Sequence, residues 1–338
     1  MPVPDAVRPK ILRVEPTNQC SRSCIMCPNK QIIRDQGIHH LHPTLIPQGL
    51  FESVRDVVFL QNGEFTEAKY LQDILVLLQR YPVRLHVTTN GTNVTDGLLE
   101  QLLATSLASI TFSIDSVDPI IFASIRRGCH LDVVLRGVRR VILRKRETDS
   151  ILPIVQTNVT IMRRNIEALP EALLTLADLG VDVIRVDYAR LHRFSVETGD
   201  IDRDESLYFH QDLSDKTLAQ CRRIVSGRSC KVWLPPMFGR VVVKEDDPSS
   251  GQHIANYCQQ PWTDAVIWAN GNVTPCTGAQ EVIWGNLRES SFESIWRCRR
   301  ANNFRRRLES PHCPKACLQC VCVAESRTSY NRKSWHVL

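Results

Sequence analysis

The sequence predicts an α/β protein: a parallel sheet built from βα units, followed by a small metal-dependent unit. Three observations carry this. Through the first two-thirds, short strand-like runs alternate with helical stretches, the pattern of parallel α/β folds. The 338 residues suffice for one large or two medium domains with a sizeable core. Seven of the 13 cysteines lie beyond residue 250, so the composition changes there.

The strand-like runs are Ile11–Val14, Asp56–Leu60, Arg84–Thr88, Ser109–Ile114, Ile154–Thr160 and Val183–Asp187. Helix-like stretches fall between them at Ala68–Gln79, Asp96–Leu103, Leu131–Lys145 and Ile166–Leu179. Six such units make either a partial barrel or a doubly wound sheet, and pattern alone does not choose. The alternation stops around Phe194–Asp204, a helical segment follows near Glu205–Ser226, and Lys244–Gly251 reads as a loop. The expected organisation is a core at 1–200, a helical connection at 201–249, a cysteine-rich domain at 250–328 and a tail at 329–338.

Composition excludes several classes. Apolar residues at 43% and charged residues at 23% are ordinary for a globular chain, not a disordered one. A membrane helix needs about 20 apolar residues, and the longest runs here, such as Ile74–Leu78, are far shorter. The net charge of +6 tolerates an anionic partner without calling for nucleic acid. Met1–Lys10 lacks an apolar signal region. A cytoplasmic setting follows as the expectation, with the cysteines as thiols or metal ligands rather than disulfides.

The first cysteine cluster follows the first strand directly, as Cys20-x3-Cys24-x2-Cys27. Random placement of 13 cysteines would produce that pattern in roughly 0.02 chains of this length, which sets coincidence aside. The spacing would also line one helix face with buried thiols, but Pro16, Asn18, Ser21, Ser23 and Pro28 are loop and cap residues. Zinc would want a fourth ligand, for which His39, His40 and His42 are the local candidates. Three thiolates suit a [4Fe–4S] cluster with one iron left open, since four cysteines close such a cluster.

On this motif the chain resembles the radical S-adenosylmethionine (SAM) superfamily. The resemblance implies a partial (β/α)6, TIM-like barrel whose open iron chelates SAM. Reductive cleavage then yields a 5′-deoxyadenosyl radical that abstracts hydrogen from an unactivated C–H. Further segments extend the match over residues 10–190. Asn62-Gly63-Glu64 resembles the Gly-Gly-Glu segment that binds the SAM amino group, with Asn62 replacing the first glycine. Asn90 ends the third strand, Ser113 and Asp115 end the fourth, and Asn158 lies on the fifth. Arg126 and Arg127 resemble the segment in which an arginine pairs with a carboxylate. Met26 stands where relatives carry an aromatic residue near adenine, and offers a soft apolar surface instead. All these segments sit at C-terminal strand ends, where parallel α/β folds build their sites.

The second cysteine group opens with Cys258 and Cys276, flanking Asn270-Gly271, a strong hairpin signal. A hairpin would draw the two cysteines together. Gly285-Asn-Leu then leads to a helix capped by Ser290 or Ser291, and Cys313-x3-Cys317-x2-Cys320-x-Cys322 closes the series. This resembles the SPASM/twitch extension of radical SAM enzymes. Cys258, Cys276, Cys317 and Cys320 match a version with one auxiliary [4Fe–4S] cluster. Two clusters, or zinc bound by the last four cysteines, remain the alternatives.

Three further features are singled out. Asp187 and Tyr188 end the sixth strand, where either would accept a proton in the mouth of the sheet. Cys129 follows Arg126–Gly128 and would serve as a hydrogen donor. Six arginines between Arg297 and Arg307 read as a solvated helix face or as a contact for an acidic partner. The resulting expectation is an oxidoreductase similar to aminocyclitol- and aminoglycoside-tailoring radical SAM enzymes. It would oxidise a secondary alcohol of a small polar substrate to a ketone, fed by flavodoxin or ferredoxin. Epimerisation through a cysteine, maturation of a ribosomal peptide, and a zinc-stabilised binding module are the alternatives.

Overall fold

The computed structural model describes residues 8–60, 62–191, 193–240, 258–309 and 314–318. Seven parallel strands run in chain order: β1 (Ile11–Val14), β2 (Asp56–Phe59), β3 (Arg84–Thr89), β4 (Leu107–Ser113), β5 (Ile154–Ile161), β6 (Val183–Tyr188) and β7 (Lys231–Trp233). An eighth, β8 (Asp264–Ile267), pairs parallel with the free side of β1, and β9 (Asn272–Thr274) and β10 (Gly285–Asn286) continue antiparallel. All ten form one sheet in the order β10-β9-β8-β1-β2-β3-β4-β5-β6-β7.

The helices are α1 (Asn29–Gln36), α2 (Leu71–Leu78), α3 (Asp96–Ala104), α4 (Pro119–Ile125), α5 (Leu131–Glu147), α6 (Leu169–Leu179), α7 (Arg193–Glu197), α8 (Gln211–Ile224), α9 (Gln260–Thr263), α10 (Phe292–Trp296), α11 (Arg299–Leu308) and α12 (Lys315–Leu318). Their ends follow local chemistry. Thr95 caps α3 by accepting from Leu98 N–H, Asp118 caps α4 by accepting from Ile120 and Ile121 N–H, and Ser291 caps α10.

Period-two alternation sorts each strand into two faces. Leu12, Val57, Leu85, Ile110, Val155 and Ile184 are buried in the apolar core. The other face is polar, and there His86 bonds both Ser109 (2.8 Å) and Asp56 (2.9 Å). Apolar burial therefore holds the helices on the outside, while the inner face keeps groups that can meet a ligand.

The structure differs from the sequence reading in several places. Strand β7 and helices α1 and α4 were not anticipated, being three to eight residues long, too short to show a period. The hairpin does not stand apart from the barrel. The Arg13–Asp264 ion pair (2.6 Å) and Glu15 N–H on Ile267 O (2.9 Å) bind β8 to β1. Its turn is not a two-residue Asn-Gly turn: the strands stop at Ile267 and resume at Asn272, and Gly271 alone is left-handed (φ 88°). A side chain at 271 would also meet Asn286 Oδ1 at 2.9 Å. In α11, Arg305 is buried against the expectation of a solvated face. Its guanidinium lies over Trp284 and Trp296 and donates to Pro261 O and Trp296 O at 2.8 Å. Lys244–Gly251 and Cys313, Cys320 and Cys322 lie outside the described residues. No helix among the described residues is long and apolar enough to cross a membrane.

Candidate functional site

The loop after β1 carries Cys20, Cys24 and Cys27, each partly exposed. Cys27 N–H bonds Cys24 O (3.1 Å), closing a turn. Ser23 and Ile25 N–H bond Arg127 O and Ile125 O (3.1 and 3.0 Å), clamping the loop onto the end of α4. From the other side, Glu64 N–H bonds Gln19 O (2.8 Å), and a Cβ on Gly63 would fall 2.2 Å from Thr17 O. Gly63 is thus required by close approach of two backbones. Burial pushes the Cys20 thiol up to about 12 and the Cys27 thiol up to about 11. A metal group must displace those protons to bind.

The other predicted residues arrange themselves as follows. Glu64 is turned into the fold, accepting from Thr89 Oγ1 (2.8 Å) and Asn90 N–H (2.7 Å); burial raises its pKa against these bonds. It latches the segment after β2 to the end of β3. Asn90 accepts through Oδ1 from Thr92, while its buried Nδ2 has no hydrogen-bond partner. Ser113 and Asn158 are register partners on β4 and β5. Met26 packs on a small apolar cluster of Ile25, Ile125, Met162, Leu191 and Ile201 beside the cysteines.

Arg126 and Asp115 form a buried ion pair (2.7 Å), and Arg126 Nη1 points at Cys24 Sγ (3.9 Å). Arg126 is thus already paired within the fold through Nε and Nη1. Arg127 is exposed and pairs with Asp200 (3.3 Å), which also holds Lys30 (2.8 Å). Cys129 is buried beneath this region, and burial, with the nearby Cys24, pushes its thiol up to about 11. Asp187 is half-exposed and accepts from Arg185 (2.7 Å). Tyr188 departs from the expectation that it faces the mouth. Strand alternation places it on the helix side, where its hydroxyl donates to Pro236 O (2.9 Å) and its ring packs on Phe238.

Glu15, directly after β1, is a residue to which the sequence analysis gives no role. It is 4% exposed; Oε2 accepts from Ala269 N–H (3.0 Å), and among the described residues no donor meets hydrogen-bond geometry at Oε1. Burial raises its pKa, opposed by Ala269 and Asn62. It lines a cavity of about 700 Å³ between the hairpin and α1, where Ile32, Gln36 and His39 form the facing wall. Seven carboxamides line the same space, among them Asn18, Asn62, Asn272 and Asn286, together with Trp268 and Glu281. Among the described residues that line it there is no lysine or arginine.

In the C-terminal part, Cys258 precedes β8 and Cys276 follows β9, so the hairpin brings both to its open end. Cys276 and Cys317 are buried and Cys258 half-buried. Cys298 is accounted for otherwise: its sulfur caps α11 by accepting from Ala301 N–H (3.4 Å).

Residues 14–155 match the radical SAM superfamily, and residues 258–321 match SPASM, an iron–sulfur cluster-binding domain. The chain carries a radical SAM domain and a SPASM domain. It is an enzyme whose cofactors are a [4Fe–4S] cluster, SAM and auxiliary iron–sulfur. The residues present fit these groups. Cys20, Cys24 and Cys27 share one clamped loop, Cys24 lies near enough to the other two to raise both thiol pKa values, and Gly63 lets the segment after β2 approach that loop closely. Among curated proteins, the chain is similar to the tungsten-containing aldehyde ferredoxin oxidoreductase cofactor-modifying protein of Pyrococcus furiosus. The two are 23% identical over 93% of this chain and 88% of that protein. SuiB of Streptococcus suis bound to SAM shares the fold at TM-score 0.66 and 15% identity, covering 98% of this chain and 78% of its own. BtrN, solved with AdoMet and 2-DOIA, overlaps less, at TM-score 0.44 and 18% identity over 90% of this chain and 88% of its own.

Proposed function

We propose that this radical SAM enzyme is an oxidoreductase acting on a small, hydroxylated, amine-bearing substrate of the aminocyclitol or aminoglycoside kind. It converts a secondary alcohol to a ketone. The observation that carries the substrate class is the cavity lining: seven carboxamides and two carboxyls, with no lysine or arginine among the described residues that line it. Carboxamides supply donors and acceptors to hydroxyls, and carboxylates favour a cation.

Forming a ketone from a carbinol removes one hydrogen atom, one proton and one electron. When bound, SAM with its cluster supplies the hydrogen-atom abstraction, and auxiliary iron–sulfur held by Cys258, Cys276, Cys317 and Cys320 supplies the electron sink. The chain supplies the rest. The carboxamides orient the carbinol, and Trp268 narrows the cavity. Glu15, buried at the cavity wall, takes the proton. Among the three candidates for this step, the Asp187 carboxylate is paired with Arg185 and the Tyr188 hydroxyl is bonded to Pro236.

The test is anaerobic incubation with SAM, a reductant and a panel of aminocyclitols in deuterated water. A ketone product with one SAM consumed per turnover supports the reading. Solvent deuterium in an otherwise unchanged carbon skeleton would replace it with epimerisation, and turnover only of peptides would replace it with peptide maturation. Glu15→Gln should lower ketone formation by about 10²-fold, the usual weight of a general base, while 5′-deoxyadenosine still forms.

A further inference from the structure

A buried cation stands against one of the cluster cysteines. The Arg126 guanidinium is almost fully enclosed, and its Nη1 lies 3.9 Å from Cys24 Sγ. On its other side Asp115, 2% exposed, holds Nε at 2.7 Å. Asp115 is itself fixed: Oδ1 accepts from Thr160 N–H (2.7 Å) and its backbone carbonyl accepts from Asn165 Nδ2 (2.8 Å). The distance to the sulfur is kept by backbone as well. Arg126 N–H closes α4 on Phe122 O (2.8 Å), and Ile125 O and Arg127 O both accept from the cysteine loop. Asp115, Arg126 and Cys24 therefore stand in a line, with the positive charge turned toward the sulfur.

We infer that Arg126 is a tuning residue: it donates to the Cys24 sulfur and makes the cluster held there easier to reduce, while Asp115, its buried counter-charge, partly offsets that cation. A reduced cluster carries one more negative charge than an oxidised one. A fixed cation at a ligand sulfur therefore favours the reduced form, and does so strongly where water is excluded. This inference rests on the cluster-binding role of the three cysteines and not on the substrate reading.

The test is a redox titration of the full-length reconstituted protein without substrate, followed by electron paramagnetic resonance. The signal that changes on adding SAM belongs to the first cluster, and the auxiliary signal is the internal control. At the potential where the first cluster of the natural protein is half reduced, Arg126→Gln should lower its reduced-to-oxidised ratio about tenfold, the weight of one charge-assisted hydrogen bond. The auxiliary signal should not move. A fall below about threefold with full iron content overturns the inference, given what such bonds contribute. Should Arg126→Gln fail to hold the first cluster, Asp115→Asn decides. Removing the counter-charge should raise the same ratio, and no change or a fall overturns the inference.

Discussion

The two cysteine regions solve the same chemical problem in opposite ways. Cys20, Cys24 and Cys27 sit within eight residues of chain on a single loop, clamped by the backbone of α4 on one side and residues 62–64 on the other. Cys258, Cys276 and Cys317 come from three segments: before β8, after β9, and in α12. The first set depends on a local turn, the second on a sheet, a hairpin and a helix pair all being in place. In the proposed function the compact loop leaves a ligand position open to a small molecule, whereas the distributed set ties an electron acceptor to the fold itself.

The sharpest way to break this comparison is Cys24→Ser. Loss of the first cluster should lower 5′-deoxyadenosine formation by at least ~10³-fold and iron by about four per chain. Retained cleavage would remove the loop from the chemistry. Cys276→Ser should do the converse, with auxiliary iron lost and ketone formation abolished. Cleavage of SAM should stay within about threefold, because the first loop does not need the hairpin's open end. Equal loss of cleavage in both variants would mean the regions are not separable.

Two smaller effects test the scaffolds. Arg305 is the buried strut between Trp284, Trp296 and Pro261, and burial pulls its pKa down to about 10. Arg305→Ala should destabilise the protein by about 2–4 kcal/mol through lost stacking and two unpaired carbonyls. Auxiliary iron loading should suffer before the first cluster does, measured by thermal melting and iron analysis. The smallest effect concerns Asp56 on the inner face, whose pKa is lowered chiefly by the Arg84 hydrogen bonds, with His86 adding to them. A depressed carboxyl stabilises the fold above its unfolded pKa of about 3.9 and loses that contribution as pH falls through the folded value. The Tm difference between Asp56→Asn and the natural protein should therefore be present at pH 6 and close below about pH 4.

Much of the fold was legible in the chain. The six anticipated strands lie within two residues of their observed ends at β1–β6, because period-two burial repeats over four to eight residues there. The cysteine trio and the hairpin around Gly271 were readable because their spacing is local. Tyr188 was misjudged because a strand end looks the same on both faces until the neighbouring helix is known; α8 and Pro236 claim its hydroxyl. Glu15 went unassigned because its signal, a buried carboxyl at a cavity wall, exists only in three dimensions.

By itself the sequence determined the elements whose information is contiguous: the alternating strands and helices, the first cysteine loop and the hairpin between Cys258 and Cys276. Tertiary structure alone decided that β8 extends the sheet at β1, that Glu15 meets Ala269 across 254 residues, and that Arg126 reaches Cys24 across 102. Local periodicity reports which face of an element is apolar. Strand order and sheet curvature choose the partners across the chain, and no neighbouring residue carries that information.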